Sequence, residues 1–269
     1  MTALVPEFFL YETPREHVAR ITINRPEVRN AVHPPAHKEW SDLLDVVEAD
    51  DDIWVIIITG AGDKAFCAGR DLKHMAASRA AGAEAMAADQ ALMDATTRFI
   101  ERFEIDKPVI AQVNGHAFGG GFEVALACDL VVAADHVNFG LPEPRRGIYA
   151  GGGGVHRLPR QVPLKVAMEH LLTGNPMTAD RALDLGLVNR VVPYEDLESM
   201  VDELVGDILL NAPLSVRATK QAAMRGLHLP LGEAHHGTYP AVVAMQHSDD
   251  AREGPLAFAE KREPRWIGS

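Results

Sequence analysis

Ile53-Trp54-Val55-Ile56-Ile57-Ile58 runs straight into Thr59-Gly60-Ala61-Gly62. An unbroken aliphatic run, rich in β-branched residues and stopped by glycines, is the pattern of a strand covered on both faces of a sheet. It is far too short to cross a bilayer, which takes about 20 apolar residues. Outward from it, Val18–Ile23 reads as a short strand broken by Asn24-Arg25-Pro26-Glu27. Val109–Val113 and Leu130–Ala133 read as two more strands. Between them, Ala36–Glu48 sets Trp40, Leu43, Leu44 and Val47 on one helical face. The alanine-rich stretch Ala80–Phe103 predicts one helix with Leu92, Thr96, Phe99 and Phe103 as its stripe, and three glycines open a helix over Phe122–Ala127. This alternation predicts an α/β fold with mainly parallel pairing.

From about Leu164 the pattern turns helical. Thr178-Ala179-Asp180 has the form of a helix start, Gly186 of a stop, and Glu195–Leu210 is a longer amphipathic helix. These readings divide the chain near Pro193, with residues 1–193 as a core and 194–269 as a helical C-terminal region.

The 269 residues carry 26 Lys+Arg against 38 Asp+Glu, a net charge of −12. That balance argues against nucleic acid as a partner, since phosphate backbones need a basic face. Two cysteines, Cys67 and Cys128, are too few for a disulfide framework and point to reduced thiols in the cytoplasm. The N-terminus lacks the basic start and long apolar run of a signal peptide.

Several motifs point elsewhere and fail on context. Gly60-Ala61-Gly62-Asp63-Lys64-Ala65 matches a dinucleotide-binding fingerprint, but another glycine, Gly69, falls where its helix belongs. The acid at the expected distance, Glu84, lies in a helical pattern. No nucleophile elbow is present, and Cys67 reads as a small buried residue beside a turn. His33 and His37 have i, i+4 spacing, but Pro34-Pro35 denies them a shared regular helix; His235-His236 point apart; no metal site is expected. Gly151-Gly152-Gly153-Gly154 lacks a Walker lysine and reads as a tight packing loop.

Three segments carry the chemistry: Lys64–Leu72, Asn114–Glu123 and Phe139–Pro144. Gly119-Gly120-Gly121 lets a ligand approach the backbone, and the helix that follows offers unpaired N–H groups and a positive dipole end. The Ala68-Gly69 turn is placed to supply a second donor. Two such N–H groups on one oxygen make an oxyanion hole. Glu123 falls in the first helical turn beside it, and Glu143, between two prolines, is expected to be stiff and extended.

At these residues the sequence resembles the crotonase superfamily, the enoyl-CoA hydratase/isomerase family, along nearly its whole length. Asn24-Arg25-Pro26 with Asn30-Ala31, Phe66–Leu72, Asn114–Glu123 and Glu253–Arg262 match its four signatures in order. The resemblance implies a crotonase-like spiral of ββα repeats with a C-terminal helical region that builds trimers, usually paired into hexamers. It implies an acyl-CoA substrate, with coenzyme A as part of that substrate and no separate cofactor. Ala68 and Gly120 would form the oxyanion hole, and Glu123 and Glu143 would be the catalytic pair. CoA would meet Val28, Arg29, Ala31, Ala68, Arg70, Asp71 and Leu72, with Phe258 and Lys261 reaching the CoA of a neighbouring subunit. Both glutamates favour reversible syn hydration of a trans-2-enoyl-CoA in fatty acid metabolism; an isomerase or acyl-CoA hydrolase is the alternative. Departures at His33-Pro34-Pro35, Arg70 and Tyr149-Ala150 touch the acyl pocket and the CoA path.

Overall fold

A computed structural model describes residues 6–269. Strands β1 (Phe9–Arg15) and β2 (Val18–Ile23) form a hairpin, followed by helix α1 (Pro34–Ala49). Next come β3 (Val55–Gly60), β4 (Ala65–Cys67), α2 (Leu72–Ala81) and α3 (Ala83–Asp94). The second repeat is β5 (Val109–Val113), β6 (His116–Phe118) and α4 (Gly120–Ala127). The third opens with β7 (Leu130–Ala134) and β8 (Asn138–Gly140), followed by α5 (Gly154–Gln161) and α6 (Leu164–Thr173). Then come β9 (Met177–Thr178), α7 (Ala179–Asp184), β10 (Arg190–Val192) and α8 (Leu197–Leu209). The chain ends in α9 (Pro213–Gly226), α10 (Leu231–His236), α11 (Pro240–Gln246) and α12 (Asp250–Glu260).

Each ββα repeat sends its first strand to one sheet and its second to another. The larger sheet runs β1-β2-β3-β5-β7-β10 and the smaller β4-β6-β8-β9. Pairing is parallel throughout except for β1 with β2 and β8 with β9. Because β4, β6 and β8 lie side by side and parallel, the loops leaving them emerge at one edge. Those loops are the three segments singled out above.

The core is aliphatic and fills both sides of the larger sheet. Every position of β3 and β5 is buried, as an interior parallel sheet demands. Trp40, Leu43, Leu44 and Val47 of α1 pack into it. Prolines occupy the first turn of α1, where their missing N–H costs nothing, and His33 stays outside as its N-cap. The helix therefore starts earlier than the expected Ala36, and the His37 amide donates to the His33 carbonyl at 3.0 Å.

The single helix expected over Ala80–Phe103 is not there. Gly82, at φ +104°, separates α2 from α3, and the chain then makes a short 3-10 turn over Phe99–Glu101. Alanine-rich composition supports helix anywhere, so it hid the break. Thr96 and Phe99 are buried, but Phe103 is 79% exposed. Past Pro193, α8 still belongs to the core through Leu197, Val201 and Val205. Helices α9 to α12 pack chiefly on one another as an extension. Their tail is pinned by Asp250, whose carboxylate accepts from the Ile267 and Gly268 amides.

Candidate active site

The site is stapled together by two buried asparagines. Asn30, at φ +56°, donates to the carbonyls of Ala61 at 3.1 Å and Ala65 at 2.7 Å, while its oxygen accepts from the Arg25 amide. Asn114 accepts from the Gly60 amide at 3.0 Å and donates to its carbonyl at 2.7 Å. A side-chain amide paired this way acts as a piece of extra sheet. Together they lock the loops after β2, β3 and β5 to one another. The Gly119 amide donates to the Gly140 carbonyl at 2.9 Å and brings in the loop after β8.

Two free backbone donors face each other at the edge of the smaller sheet. Gly120 is the first residue of α4, so its N–H has no partner inside the helix. Opposite stands Gly69, at φ +83°, where a Cβ would come within 2.5 Å of the Gly120 nitrogen. Only glycine combines that backbone angle with that approach. The sequence pointed to Ala68 as the second donor, and the structure corrects this: the Ala68 N–H donates to the Arg29 carbonyl at 3.0 Å. Among the described residues the next N–H, that of Arg70, has no acceptor, and a Cβ on Gly120 would lie 3.7 Å from its nitrogen.

Glu123 and Glu143 lie beside this pair of donors, and both are buried. Glu123 sits in the first turn of α4 with its Oε1 accepting from the Gly154 amide at 2.8 Å. Burial raises its pKa above the ordinary carboxylate value, while the Gly154 and Gly152 backbone and the charges of Arg98 and Arg157 pull it back. The four-glycine loop is therefore more than packing. A Cβ at Gly152 would collide with Glu123 Oε2, so the loop is cut to fit a carboxylate.

Glu143 begins a 3-10 turn, Glu143–Arg146, rather than an extended stretch. Its neighbour Pro144 falls in the first turn, where a proline is tolerated, and this overrides the usual bias of a residue before proline. Its Oε1 points at the triple-glycine loop, 3.0 Å from where a Cβ on Gly119 would stand. Its Oε2 is buried without a partner among the described residues. Burial raises its pKa, and the Glu123 charge raises it further. Two carboxylates that feel each other this way can share a proton or a water between them.

The expected CoA contacts divide. Arg29, exposed at φ +59°, lines a cavity of about 470 Å³ with Lys64, Ala68, His116, Phe118 and His136. Arg70 and Leu72 are exposed and Val28 is half-buried, and none of the three lines that cavity. Ala31 is 6% exposed, and its carbonyl accepts from Arg25. Asp71 is turned inward: it pairs with Arg25 at 3.0 Å and caps α2 through the Lys73 and His74 amides. Phe258, 87% exposed, and Lys261 lie on α12 and its cap and do not line this chain's own cavity. Cys67 is sealed, its thiol pushed up to about 12 by burial, and is no nucleophile.

The match to known proteins now has a geometry to rest on. The model of the enoyl-CoA hydratase/isomerase family matches residues 13–269. The chain belongs to that family. It is 41% identical over 263 residues to the carnitinyl-CoA dehydratase of Proteus mirabilis, covering 96% of this chain and 98% of that protein, and equally to that of Escherichia coli K12. Its fold superposes on a crystal structure of enoyl-CoA hydratase from Bacillus anthracis with a TM-score of 0.89, at 34% identity, covering 98% of this chain and all of that one. An enoyl-CoA hydratase from Mycobacterium tuberculosis H37Rv superposes with a TM-score of 0.84 at 38% identity, covering 97% and 99%. The crotonase-type α/β fold expected from the sequence is thus the fold observed. Among the described residues no helix is long and apolar enough to cross a membrane.

Proposed function

We propose that this family member catalyses reversible addition of water across the C2–C3 bond of a 2-enoyl-CoA thioester, or its loss from the 3-hydroxyacyl-CoA. The observation that carries the reading is the pair Glu123 and Glu143: two buried carboxylates, each with a raised pKa, beside two free N–H groups. An isomerase that only moves a proton has one proton to carry and one base to carry it. Hydration moves a proton and a hydroxide, and uses two.

The Arg70 and Gly120 N–H groups would hold the thioester oxygen. As C2 and C3 rehybridise, negative charge collects on that oxygen, so these donors favour the transition state over the ground state. Glu123, fixed by its glycine cradle, would orient and deprotonate water for attack at C3. Glu143, whose pKa is raised by burial and by the Glu123 charge, would deliver the proton to C2. Dehydration is the same path reversed, and the similarity to carnitinyl-CoA dehydratases fits either direction.

CoA itself would lie along the Arg29 cavity, its phosphates facing Arg29, Arg70 and a neighbour's Lys261. That last contact requires an oligomer, a trimer or a dimer of trimers. The C-terminal extension supports this: Leu231 and Phe258 are 86% and 87% exposed, a cost that a partner surface would remove. A cytoplasmic location and a role in fatty acid metabolism complete the proposal. The test is mass analysis of products from a panel of trans-2-enoyl-CoA esters and carnitinyl-CoA. Gain or loss of one water supports the reading. Double-bond migration alone, or free CoA, would replace it.

A further inference from the structure

The four-glycine loop that cradles Glu123 cannot fix its own shape. Residues 151–154 carry no side chains, and the bonds within the loop are local, such as that of the Gly151 amide to the Tyr149 carbonyl at 2.8 Å. Helix α5, which follows, is tied at its far end to α4, where Gln161 Nε2 donates to the Leu126 carbonyl at 3.0 Å. At the near end the loop is gripped by the side chain of Arg157.

Arg157 sits one turn into α5 and folds back over the loop. Its Nη1 donates to the Gly152 carbonyl at 3.3 Å, and a Cβ on Gly153, at φ +103°, would collide with the same nitrogen. Its Nη2 donates to the Ile100 carbonyl at 2.7 Å, across 57 residues of chain. One planar fork thus spans two carbonyls on the two walls of the cradle. Gly152 is the wall that meets Glu123 Oε2, and the Ile100 side chain stands against Gly152 from the other side. Among the described residues Arg157 makes no ion pair with a carboxylate. A half-buried guanidinium placed on two neutral carbonyls loses hydration without gaining a counter-charge, so its return lies in the shape it imposes.

Phe103 completes the arrangement. The ring is 79% exposed, yet its centroid lies 5.3 Å from the Arg157 guanidinium carbon. A cation over an aromatic face is a favourable contact, and it holds the fork in register from outside.

We propose that Arg157 is a positioning residue for Glu123: its guanidinium bolts the glycine loop to the 3-10 turn over Phe99–Glu101, and that joint sets where the Gly154 amide holds the carboxylate. The proposal rests on the hydratase reading, which gives Glu123 its task. Arg157 does not line the Arg29 cavity, so its removal should leave binding of the CoA ester alone.

The test is steady-state kinetics of the full-length variants with crotonyl-CoA, each checked by circular dichroism. Arg157→Gln should lower kcat by at least ~10-fold, with KM within about threefold of wild type. Arg157→Lys keeps the charge but has no fork to span both carbonyls, and its kcat should still fall at least ~3-fold below wild type. Double variants separate positioning from a merely structural role. Added to Glu123→Gln, Arg157→Gln should lower the residual rate by no more than about twofold, because the group it aims is gone; added to Glu143→Gln, it should still cost at least ~10-fold. A kcat of Arg157→Gln within about threefold of wild type, a loss carried by KM, or a loss undiminished on Glu123→Gln overturns the proposal. If Arg157→Gln does not fold, Arg157→Lys, alone and on the two glutamine backgrounds, decides by the same comparisons. No turnover by the wild type would instead count against the hydratase reading, a distinguishable result.

Discussion

The Gly154 amide holds Glu123 Oε1 at 2.8 Å, across 31 residues of chain. The carboxylate is aimed by a loop rather than by its own helix, and that loop has room for it only because position 152 lacks a side chain. Gly152→Ala should therefore lower turnover by at least ~10-fold with Glu123 still present, as misplacing a reacting group by about an ångström does. Steady-state kinetics beside a circular dichroism spectrum would check it. Full activity would mean that Glu123 needs no cradle.

Glu143 links activity to stability. Its folded pKa is raised by burial and by Glu123, so the fold favours its protonated form. The associated stability is present below the ordinary carboxylate pKa and is lost as pH rises through the raised one. Glu143→Gln should melt higher than wild type near pH 7.5, by about 2–4 °C for each kcal/mol recovered, and show no gain near pH 4. Turnover should fall by at least ~100-fold in the same variant. A melting gain that ignores pH would contradict the buried-charge account.

The oxyanion hole predicts a sharp response at Gly69. A methyl there would come within 2.5 Å of the Gly120 nitrogen, at a φ of +83° that alanine resists. Gly69→Ala should cost about 100- to 1000-fold in kcat, the range for loss of one such donor. Ala68→Ser, whose N–H remains bonded to Arg29, should stay within a few-fold of wild type. The reverse order would return the donor role to Ala68.

Assembly is checked by sedimentation. The exposed apolar side chains of the extension predict a trimer or hexamer, and Phe258→Asp together with Leu231→Asp should shift it toward smaller species and raise KM for the CoA ester. A monomeric wild-type protein, or a dissociated variant with an unaltered KM, would contradict a shared CoA site.

Four strands of the larger sheet were legible because they are mostly apolar and buried, and Val18–Ile23 and Val109–Val113 were read to the residue; the polar hairpin strand β1 and the three-residue β10 were not. The smaller sheet was not, because β4, β6 and β8 span three residues each, too few for any period to show. Both glutamates were legible from the glycines and prolines beside them. The cradle of Glu123 and the engagement of the Ala68 N–H were hidden, since each depends on a contact between distant segments: Gly154 with Glu123, and Ala68 with Arg29. Gly82 was visible but outweighed by its alanine-rich surroundings.

The most direct measurement is the conjugated-thioester absorbance of crotonyl-CoA followed after addition of the enzyme. The account predicts a rapid loss that stops at an equilibrium. It also predicts that Glu123→Gln and Glu143→Gln each slow the loss by at least ~100-fold while still binding the ester. Absorbance unchanged by wild-type enzyme, or variants as fast as wild type, would contradict it.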